Sequence, residues 1–538
     1  MESDKRETAA PALAGRREWI GLGVLAIACL VYVMDLTVLH LAVPKLSSDL
    51  QPTSSQLLWI IDIYGFVVAG SLITMGTLGD RIGRRRLLLI GAAAFGLVSL
   101  LAAFSTSAGM LIASRALMGV AGATLAPSTL SLIFNMFQDP KQRSIAIGWW
   151  IASFSAGSAI GPLAGGVMLE HYWWGSVFLL ALPVMALLLV LGPRVLPEYR
   201  DPEAGRLDLR SAAMSLAAVL AVIFGLKEIA QDGVGLPAVL SIITGLILGT
   251  LFARRQSKLE DPLIDLRLFR IRALSASLVA YFLSIFVAVG YFLFVAQYLQ
   301  LVLGLSPLVA GLWSLPSAAG FTIGSTVGPR ILSRFRPGRV MAGGLVLSAA
   351  GMAILMGVTA SSGLAVVVAG SIVISLGLAP VITLATELIV GSAPPEKAGA
   401  ASGISETGGE LGGALGLAIL GSVGTALYRS QLGERLPAGL PAEAAEVARD
   451  TLGGAVGVAA ELPDALGAEL LEVARLAFTD GLRLTAAISA VLAIAVAIIA
   501  FVLLRSVPSQ SETLSEGASG SPDADHDERR DDPVPSTN

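Results

Sequence analysis

The amino-acid sequence predicts an all-α polytopic membrane protein with fourteen transmembrane helices, arranged as two six-helix repeats with two further helices between them. Composition gives the class, because 54% of the 538 residues are hydrophobic and only 14% are charged, whereas an ordinary soluble domain carries about 25% charged residues. Apolar runs of roughly 20 residues, the length that crosses a bilayer, give the number of helices. Motifs that recur in the two ends of the chain give the repeat.

Fourteen apolar runs are long enough to cross the membrane, and we number them span 1 to span 14. Spans 1 to 6 form the N-terminal half, spans 7 and 8 lie in a central linker, and spans 9 to 14 form the C-terminal half. The runs cover residues 19–43, 57–78, 87–105, 110–134, 144–168, 174–192, 211–229, 235–253, 273–303, 308–329, 340–360, 364–390, 399–427 and 482–505.

Charge and composition set the expected orientation and domain boundaries. Lys and Arg concentrate in alternate loops, which face the cytoplasm in membrane proteins, so we expect both termini to be cytoplasmic in a multi-pass protein of the bacterial inner membrane. The Ser/Asp/Pro-rich tail has almost no large apolar residues and should be disordered. The predicted divisions are a cytoplasmic lead at 1–18, the N-terminal half at 19–192, the linker at 193–272, the C-terminal half at 273–505 and the tail at 506–538.

Residues 428–480 form one long segment that the alternation of spans places outside the cell. Two amphipathic stretches in this segment should be helices that begin at Pro441 and Pro463. The apolar stretch between them, GGAVGVAA, is too short to cross a bilayer. We therefore expect a helical cap on the outer surface rather than a re-entrant element.

The repeat is visible at three places in the sequence. The loop after span 2 reads GDRIGRRR, and the loop after span 10 reads GPRILSRFRPGR. Span 4 contains APSTLSLIFN, and span 12 contains APVITLATEL. Parallel repeats of six helices around a midplane site are a transporter architecture. Glycines at four-residue spacing line spans 5 and 13: Gly157, Gly161, Gly165, Gly408, Gly412 and Gly416.

Five ordered motifs resemble the major facilitator superfamily, and specifically its fourteen-helix drug–proton antiporters of the quaternary ammonium and multidrug efflux type. The resemblance extends from about residue 19 to residue 505. It implies a major facilitator fold and a secondary active transporter, which exports lipophilic cationic compounds by alternating access and uses the proton gradient without a cofactor. The motifs are MDLTVLHLAVP (34–44), GTLGDRIGRRR (76–86), RALMGVAGA (115–123), AGSAIGPLAGG (156–166) and YLQLVLGLSPLVAGLWSLP (298–316).

The resemblance implies that two of these motifs control conformation. The loop after span 2 helps to latch the two halves together, a role compatible with arginines that simply enforce orientation. The glycine row of span 5 permits close helix approach, and a proline interrupts that helix where it must bend or slide. The candidate gating residues are Gly79, Asp80, Arg81, Gly83, Arg84, Gly157, Gly161, Pro162 and Gly165.

Six ionisable residues lie inside the predicted spans, where a charge costs about 2.5–3.5 kcal/mol on insertion scales and usually faces a bundle interior. Asp35 and Arg115 fall in the outer halves of spans 1 and 4, so they can pair. Asp62 lies near the outer mouth of span 2, and Glu387 lies near the cytoplasmic end of span 12, where solvation is the simplest expectation. The candidate substrate- and proton-coupling residues are Asp35, Asp62, Arg115, Glu387, Glu406 and Glu410.

Glu406 and Glu410 are four residues apart and share one face of span 13, while the glycine row lies about 200° around the helix. Two unpaired carboxylates in a low dielectric cannot both ionise easily. We therefore expect one of them to hold a proton near neutral pH, and to attract a lipophilic cation when it loses that proton. The direction of the helix puts Glu406 nearer water and Glu410 deeper, so we expect Glu410 to matter more for coupling than Glu406. Hydrogen bonding across helices, without any coupling role, stays the alternative.

Other classes of function have little support in the sequence. It contains no nucleotide-binding motif or phosphate loop, and the single Cys29 and three histidines form no metal-ligand set. No nucleophile–base pair accompanies the carboxylates, so a membrane enzyme or receptor is a remote alternative to a transporter. Export of another amphiphile, such as an antibiotic or a lipid, is a nearer one. We expect a monomer in the lipid bilayer, with small cationic substrates and protons as partners and no nucleic acid.

Overall fold

The computed structural model of the chain describes residues 13–52, 54–200, 208–259, 262–332, 335–360, 363–394, 397–505 and 507. Regular structure in these residues is helical, as expected where lipid offers the backbone no hydrogen bonds. Thirteen of the described helices are long and apolar enough to cross a membrane by length and composition. A further helix of 26 residues, Pro307–Leu332, lies at the predicted span 10. Most of the predicted lead and nearly all of the predicted tail fall outside the described residues.

The N-terminal half contains helices at all six predicted spans. Spans 4 and 6 are each built from two consecutive helices, whereas the other four spans are single helices. The helices are Arg16–Leu50, Ser54–Ile82, Arg84–Ala103, Ala108–Gly122 with Leu125–Met136, Pro140–His171, and Ser176–Leu179 with Ala181–Val195.

The linker and the C-terminal half contain helices at the remaining eight predicted spans. Spans 7 and 8 are Leu209–Asp232 and Leu236–Gln256, and a short 3-10 helix at Leu266–Arg270 precedes span 9. Span 9 ends in a π-helical turn, Tyr298–Val302. The main helices of spans 9 to 14 are Arg272–Gln297, Pro307–Leu332, Pro337–Leu355, Leu364–Gly391, Ala398–Glu434 and Asp464–Leu503.

The segment between spans 13 and 14 is helical and packed. Pro441 and Pro463 directly precede the helices Ala442–Asp450 and Asp464–Leu503, and the second of these continues without a break through span 14. The GGAVGVAA stretch lies in a separate helix, Leu452–Glu461, which buries its apolar side. A Cβ atom on Gly467 would lie 2.6 Å from the carbonyl oxygen of Ala459, so this helix rests against the beginning of the last one.

The two halves use the same pairing of helices. Spans 1 and 5, 2 and 4, and 3 and 6 pack together in the N-terminal half, and spans 9 and 13, 10 and 12, and 11 and 14 do so in the C-terminal half. Between the halves, span 2 packs on span 13 and span 5 packs on span 10. Spans 7 and 8 pack on each other, and span 7 also contacts spans 2 and 13. This pairing confirms the predicted fold of two six-helix repeats with two inserted helices.

The glycine rows bring helix backbones close together within each half. A Cβ atom on Gly157 would lie 2.4 Å from the carbonyl oxygen of Leu30 in span 1. In the other half, a Cβ atom on Gly416 would lie 2.1 Å from the carbonyl oxygen of Phe286 in span 9. Only a hydrogen atom fits at these distances, so the rows set the spacing of two equivalent helix pairs.

Gly416→Ala should therefore destabilise the C-terminal half, because its methyl group must push span 9 away. Overpacking of this kind costs about 1–3 kcal/mol. We expect a lower midpoint temperature of unfolding for the purified protein in detergent. The control is Gly421→Ala on the same helix, where the nearest atom to a new Cβ is a Leu293 methyl carbon at 3.8 Å. Equal midpoints for the two variants would show that the close approach does not constrain the packing.

Candidate functional site

A carboxylate of span 2 joins the two halves at the N-terminal face, by which we mean the membrane face where span 1 begins. The oxygens of Asp80 accept the backbone N–H groups of Gly399, at 3.1 Å, and Ala400, at 3.0 Å, in the first turn of span 13. Arg84 donates to the same carboxylate from Nε at 2.9 Å and from Nη2 at 2.8 Å. Asp80 thus satisfies N–H groups that a helix start leaves open, while Arg84 balances its charge.

The backbones around Asp80 are in direct contact. A Cβ atom on Gly76 would lie 2.3 Å from the carbonyl oxygen of Gly399. Gly83 precedes span 3 with φ of 107°, a conformation that favours glycine. Gly79 packs at ordinary distance on span 3, and Arg81 lies half-buried in the last turn of span 2. Among the predicted latch residues, Asp80 makes the contact with the other half, Arg84 supports it, and Gly79 and Gly83 face residues of their own half. Their part in gating stays a prediction.

Two further contacts close the halves against each other at the same face. The hydroxyl oxygens of Ser131 in span 4 and Ser402 in span 13 lie 3.3 Å apart. A Cβ atom on Gly148 of span 5 would lie 2.0 Å from the carbonyl oxygen of Ser325 in span 10. Spans 2 and 13 and spans 5 and 10 thus seal the N-terminal face in equivalent ways.

Glu387 does not lie where its position in the sequence suggests. We expected a solvated side chain near the end of span 12, but the residue is only 7% exposed and accepts a hydrogen bond from the Ser144 hydroxyl. That expectation was wrong because span 5 of the other half packs against span 12 and covers the carboxylate. Glu387 is a buried contact between the halves.

The predicted pair of Asp35 and Arg115 is present. The Arg115 side chain is 1% exposed, and its Nη1 donates to Oδ2 of Asp35. Its Nε donates to the carbonyl oxygen of Ile60 at 3.3 Å, and its Cζ lies 4.6 Å from the ring centroid of Tyr64. An ion pair, a carbonyl and an aromatic face together hold the buried charge between spans 1, 2 and 4.

Four more candidate residues lie in spans 2 and 5. Asp62 and Pro162 lie on helices, but their side chains are outside the part of the chain that the structure describes. Gly161 is buried. A Cβ atom on Gly165 would lie 2.9 Å from a methyl carbon of Val38, so the end of the glycine row also packs on span 1.

The two glutamates of span 13 lie close to tyrosines of both halves. Tyr32 of span 1 and Tyr281 of span 9 interact electrostatically with both Glu406 and Glu410. Oε1 of Glu406 is shut off from solvent and has no hydrogen-bond partner in the described structure. We expected Glu406 to lie nearer water and Glu410 deeper; both residues are half-buried in the structure, so this order stays a prediction.

Aromatic side chains connect the glutamates with the ion pair. The Tyr64 hydroxyl donates to the carbonyl oxygen of Tyr32 at 3.4 Å, and the two ring centroids lie 6.2 Å apart. Tyr64 interacts electrostatically with Glu410 and lies against Arg115. Our sequence reasoning missed the tyrosines, although the chain contains only 8 of them in 538 residues and Tyr32 and Tyr64 lie within four residues of candidate carboxylates.

Outside the spans, ion pairs tie the linker to its surroundings. Desolvation raises the pKa of Asp208, but hydrogen bonds from Ser211 and Arg255 together outweigh it and lower that pKa to about 2. Arg255 Nη2 lies 2.7 Å from the Asp208 carboxylate. Lys397, which precedes span 13, lies 3.3 Å from Asp265. Asp208 therefore stays ionised at any physiological pH and holds the start of span 7 against the end of span 8.

Comparisons with known proteins agree with this architecture. The family model of the Major Facilitator Superfamily matches residues 25–417. The multidrug efflux pump LfrA of Mycolicibacterium smegmatis is 45% identical over 489 residues, which cover 91% of this chain and 97% of that protein. The methyl viologen resistance protein SmvA of Salmonella typhimurium is 37% identical over 463 residues, or 86% and 93% of the two chains. A solved structure of the human organic anion transporter MFSD10 (TETRAN) shares the fold, with a TM-score of 0.57 at 17% identity over 90% of this chain and 99% of that one.

Asp35→Asn should be strongly destabilising, because it leaves the buried Arg115 charge without its partner. Such a change costs about 3–5 kcal/mol for a buried pair. The control is Asp450→Asn, which breaks an ion pair with Arg429 in which the aspartate side chain is 65% exposed, against 9% for Asp35. An exposed pair contributes at most about 1 kcal/mol. Thermal unfolding in detergent should separate the two variants clearly, and similar small losses would contradict a buried structural pair.

Proposed function

This chain belongs to the major facilitator superfamily, and on that premise we propose that it is a proton-coupled multidrug exporter of lipophilic cationic compounds. The proposal is supported by relatives whose names describe a multidrug efflux pump and resistance to methyl viologen, an organic dication. The observation that carries it is Oε1 of Glu406, which is closed off from solvent and has no hydrogen-bond partner in the described structure.

The negative charge of a buried carboxylate can be balanced in two ways that matter for export. It can bind a proton, or it can lie against an organic cation. The nearby rings of Tyr32 and Tyr281 would favour such a cation, because aromatic rings attract positive charge most strongly where water is excluded. Proton and drug then compete for one negative charge, and this competition is the chemical basis of exchange.

Alternating access supplies the direction of transport in this proposal. We place the N-terminal face in the cytoplasm because exposed arginines crowd its loops, so the sealed face of the structure is the cytoplasmic one. In this state protons from outside reach the glutamates and displace the cation. Separation of the halves at Asp80 then exposes the carboxylates to the cytoplasm, where a proton leaves and a new cation binds.

Glu406→Gln should abolish export of a lipophilic cation from proteoliposomes that carry an imposed pH gradient, because glutamine keeps the shape of the side chain but cannot exchange a proton. Glu410→Gln should do the same if the two carboxylates share one proton, as their common neighbours suggest. The control is Glu469→Gln, an exposed glutamate of the last helix. The assay should include a monovalent cation, a divalent cation and a neutral drug.

The same experiment separates the rival proposals. Equal, gradient-driven transport of the neutral drug by wild-type protein would favour an exporter of other amphiphiles on the same fold. Cation export by Glu406→Gln at the wild-type rate, with its pH dependence intact, would remove this residue from the coupling site.

Asp80→Asn should shift the population toward states that are open at the N-terminal face, since a neutral amide caps the start of span 13 more weakly. Spin labels at Gln138 and Gly391, one on each half at this face, would report longer distances in the variant. The control is Asp139→Asn, which changes a cap within one half, where Asp139 accepts the N–H of Gln142. Identical distance distributions in all three proteins would show that Asp80 does not hold the face closed.

A further inference from the structure

A basic cavity lies at the N-terminal face, between the start of span 11 and the end of span 14. Its volume is about 330 Å³, and it is lined by Arg336, Arg339, Phe501 and Arg505. The two helices touch here, because a Cβ atom on Gly338 would lie 3.0 Å from the backbone of Leu504. The walls of the cavity are therefore formed by the ends of two packed helices and not by a loop.

The described residues that line the cavity carry positive charge. Arg336 uses one nitrogen to donate to the carbonyl oxygen of Arg505 at 3.3 Å. The side chains of Arg339 and Arg505 are exposed and make no described hydrogen bond or ion pair. The start of span 11 adds its helix dipole and has no side-chain cap, which further favours an anion.

The same place in the N-terminal half shows what this geometry binds. The start of span 3 and the end of span 6 meet there, and the carboxylate of Glu198 accepts the backbone N–H groups of Arg85, at 3.1 Å, and Arg86, at 3.2 Å. The Arg85 guanidinium lies 3.6 Å from this carboxylate and donates to the carbonyl oxygen of Leu196 at 3.0 Å. One half of the repeat thus provides its own anion at the junction of these two helices.

The other half lacks that anion in its sequence. Glu198 follows the last residue of the span 6 helix, Val195, by three positions, and the residue three positions after the last residue of span 14, Leu503, is Ser506. By this count, the C-terminal half keeps the arginines and the helix start but has a serine in its sequence where the N-terminal half has the glutamate.

We infer that this cavity binds the phosphate group of an anionic phospholipid, such as phosphatidylglycerol. The apolar wall of the site supports a lipid as the source of the phosphate: Phe501 is 49% exposed and Val502 is 50% exposed at the end of span 14. Acyl chains can pack on these side chains, which face the bilayer, while the head group enters between the arginines. Basic pockets between transmembrane helices at the cytoplasmic side are a known mode of head-group binding.

The test is a titration of the full-length protein in detergent with short-chain phosphatidylglycerol, phosphatidylcholine or inorganic phosphate, with binding measured by the shift in unfolding temperature. We expect tight binding of phosphatidylglycerol alone. Replacing all three arginines with glutamine should weaken it about 100-fold, since each arginine near a lipid phosphate contributes roughly a factor of five. The matched control replaces Arg254, Lys258 and Arg270, three exposed basic residues of the same face, and should bind as the wild type does.

Single variants keep the test decisive if the triple variant does not fold. Arg339→Gln and Arg505→Gln leave the guanidinium of Arg336 in place, and each should weaken binding about fivefold. Equal binding of phosphatidylcholine, or full competition by inorganic phosphate at equal concentration, would overturn the proposal. So would binding that appears only after neutralisation of the acidic residues of the tail, because the tail would then be the native occupant.

Discussion

The contact between Asp80 and the start of span 13 is the interaction on which the rest of the candidate site depends. The carboxylate binds two backbone N–H groups of the opposite half, and the glycines beside it let the two helices touch. An α-helix rises about 1.5 Å per residue, so Glu406 and Glu410 follow about 10 Å and about 16 Å deeper on the same rigid element. The contact at the face therefore fixes where the two carboxylates lie along span 13 relative to the other half.

This arrangement links the opening and closing of the N-terminal face to the protonation and cation binding of the two carboxylates. While the face is closed, the unpartnered oxygen of Glu406 favours a bound proton or a bound cation, because an isolated charge in a low dielectric is costly. Once the halves separate at Asp80, water can solvate the ionised form. In our proposal, span 13 alone couples closure of the N-terminal face to the charge of the glutamates, because this one helix contributes both to the closed face and to the binding site.

The sequence predicts the spans, the repeat and the pair of Asp35 and Arg115, because each depends on local hydrophobicity, spacing or depth. The burial of Glu387 could not be predicted in this way. This residue lies near the N-terminal face by residue count, yet span 5, which comes from the other half, covers it. The tyrosines around the glutamates come from spans 1, 2 and 9, and no motif in the sequence connects them.

The central claim is that Glu406 exchanges a proton for a cationic substrate. Infrared difference spectroscopy tests it directly, because a protonated carboxylic acid has a C=O band that its carboxylate lacks. Our account predicts that adding a lipophilic cation to purified wild-type protein removes such a band, and that Glu406→Gln removes it from the spectrum altogether. A band that persists at saturating cation, or the same loss in the glutamine variant, would contradict the exchange at Glu406.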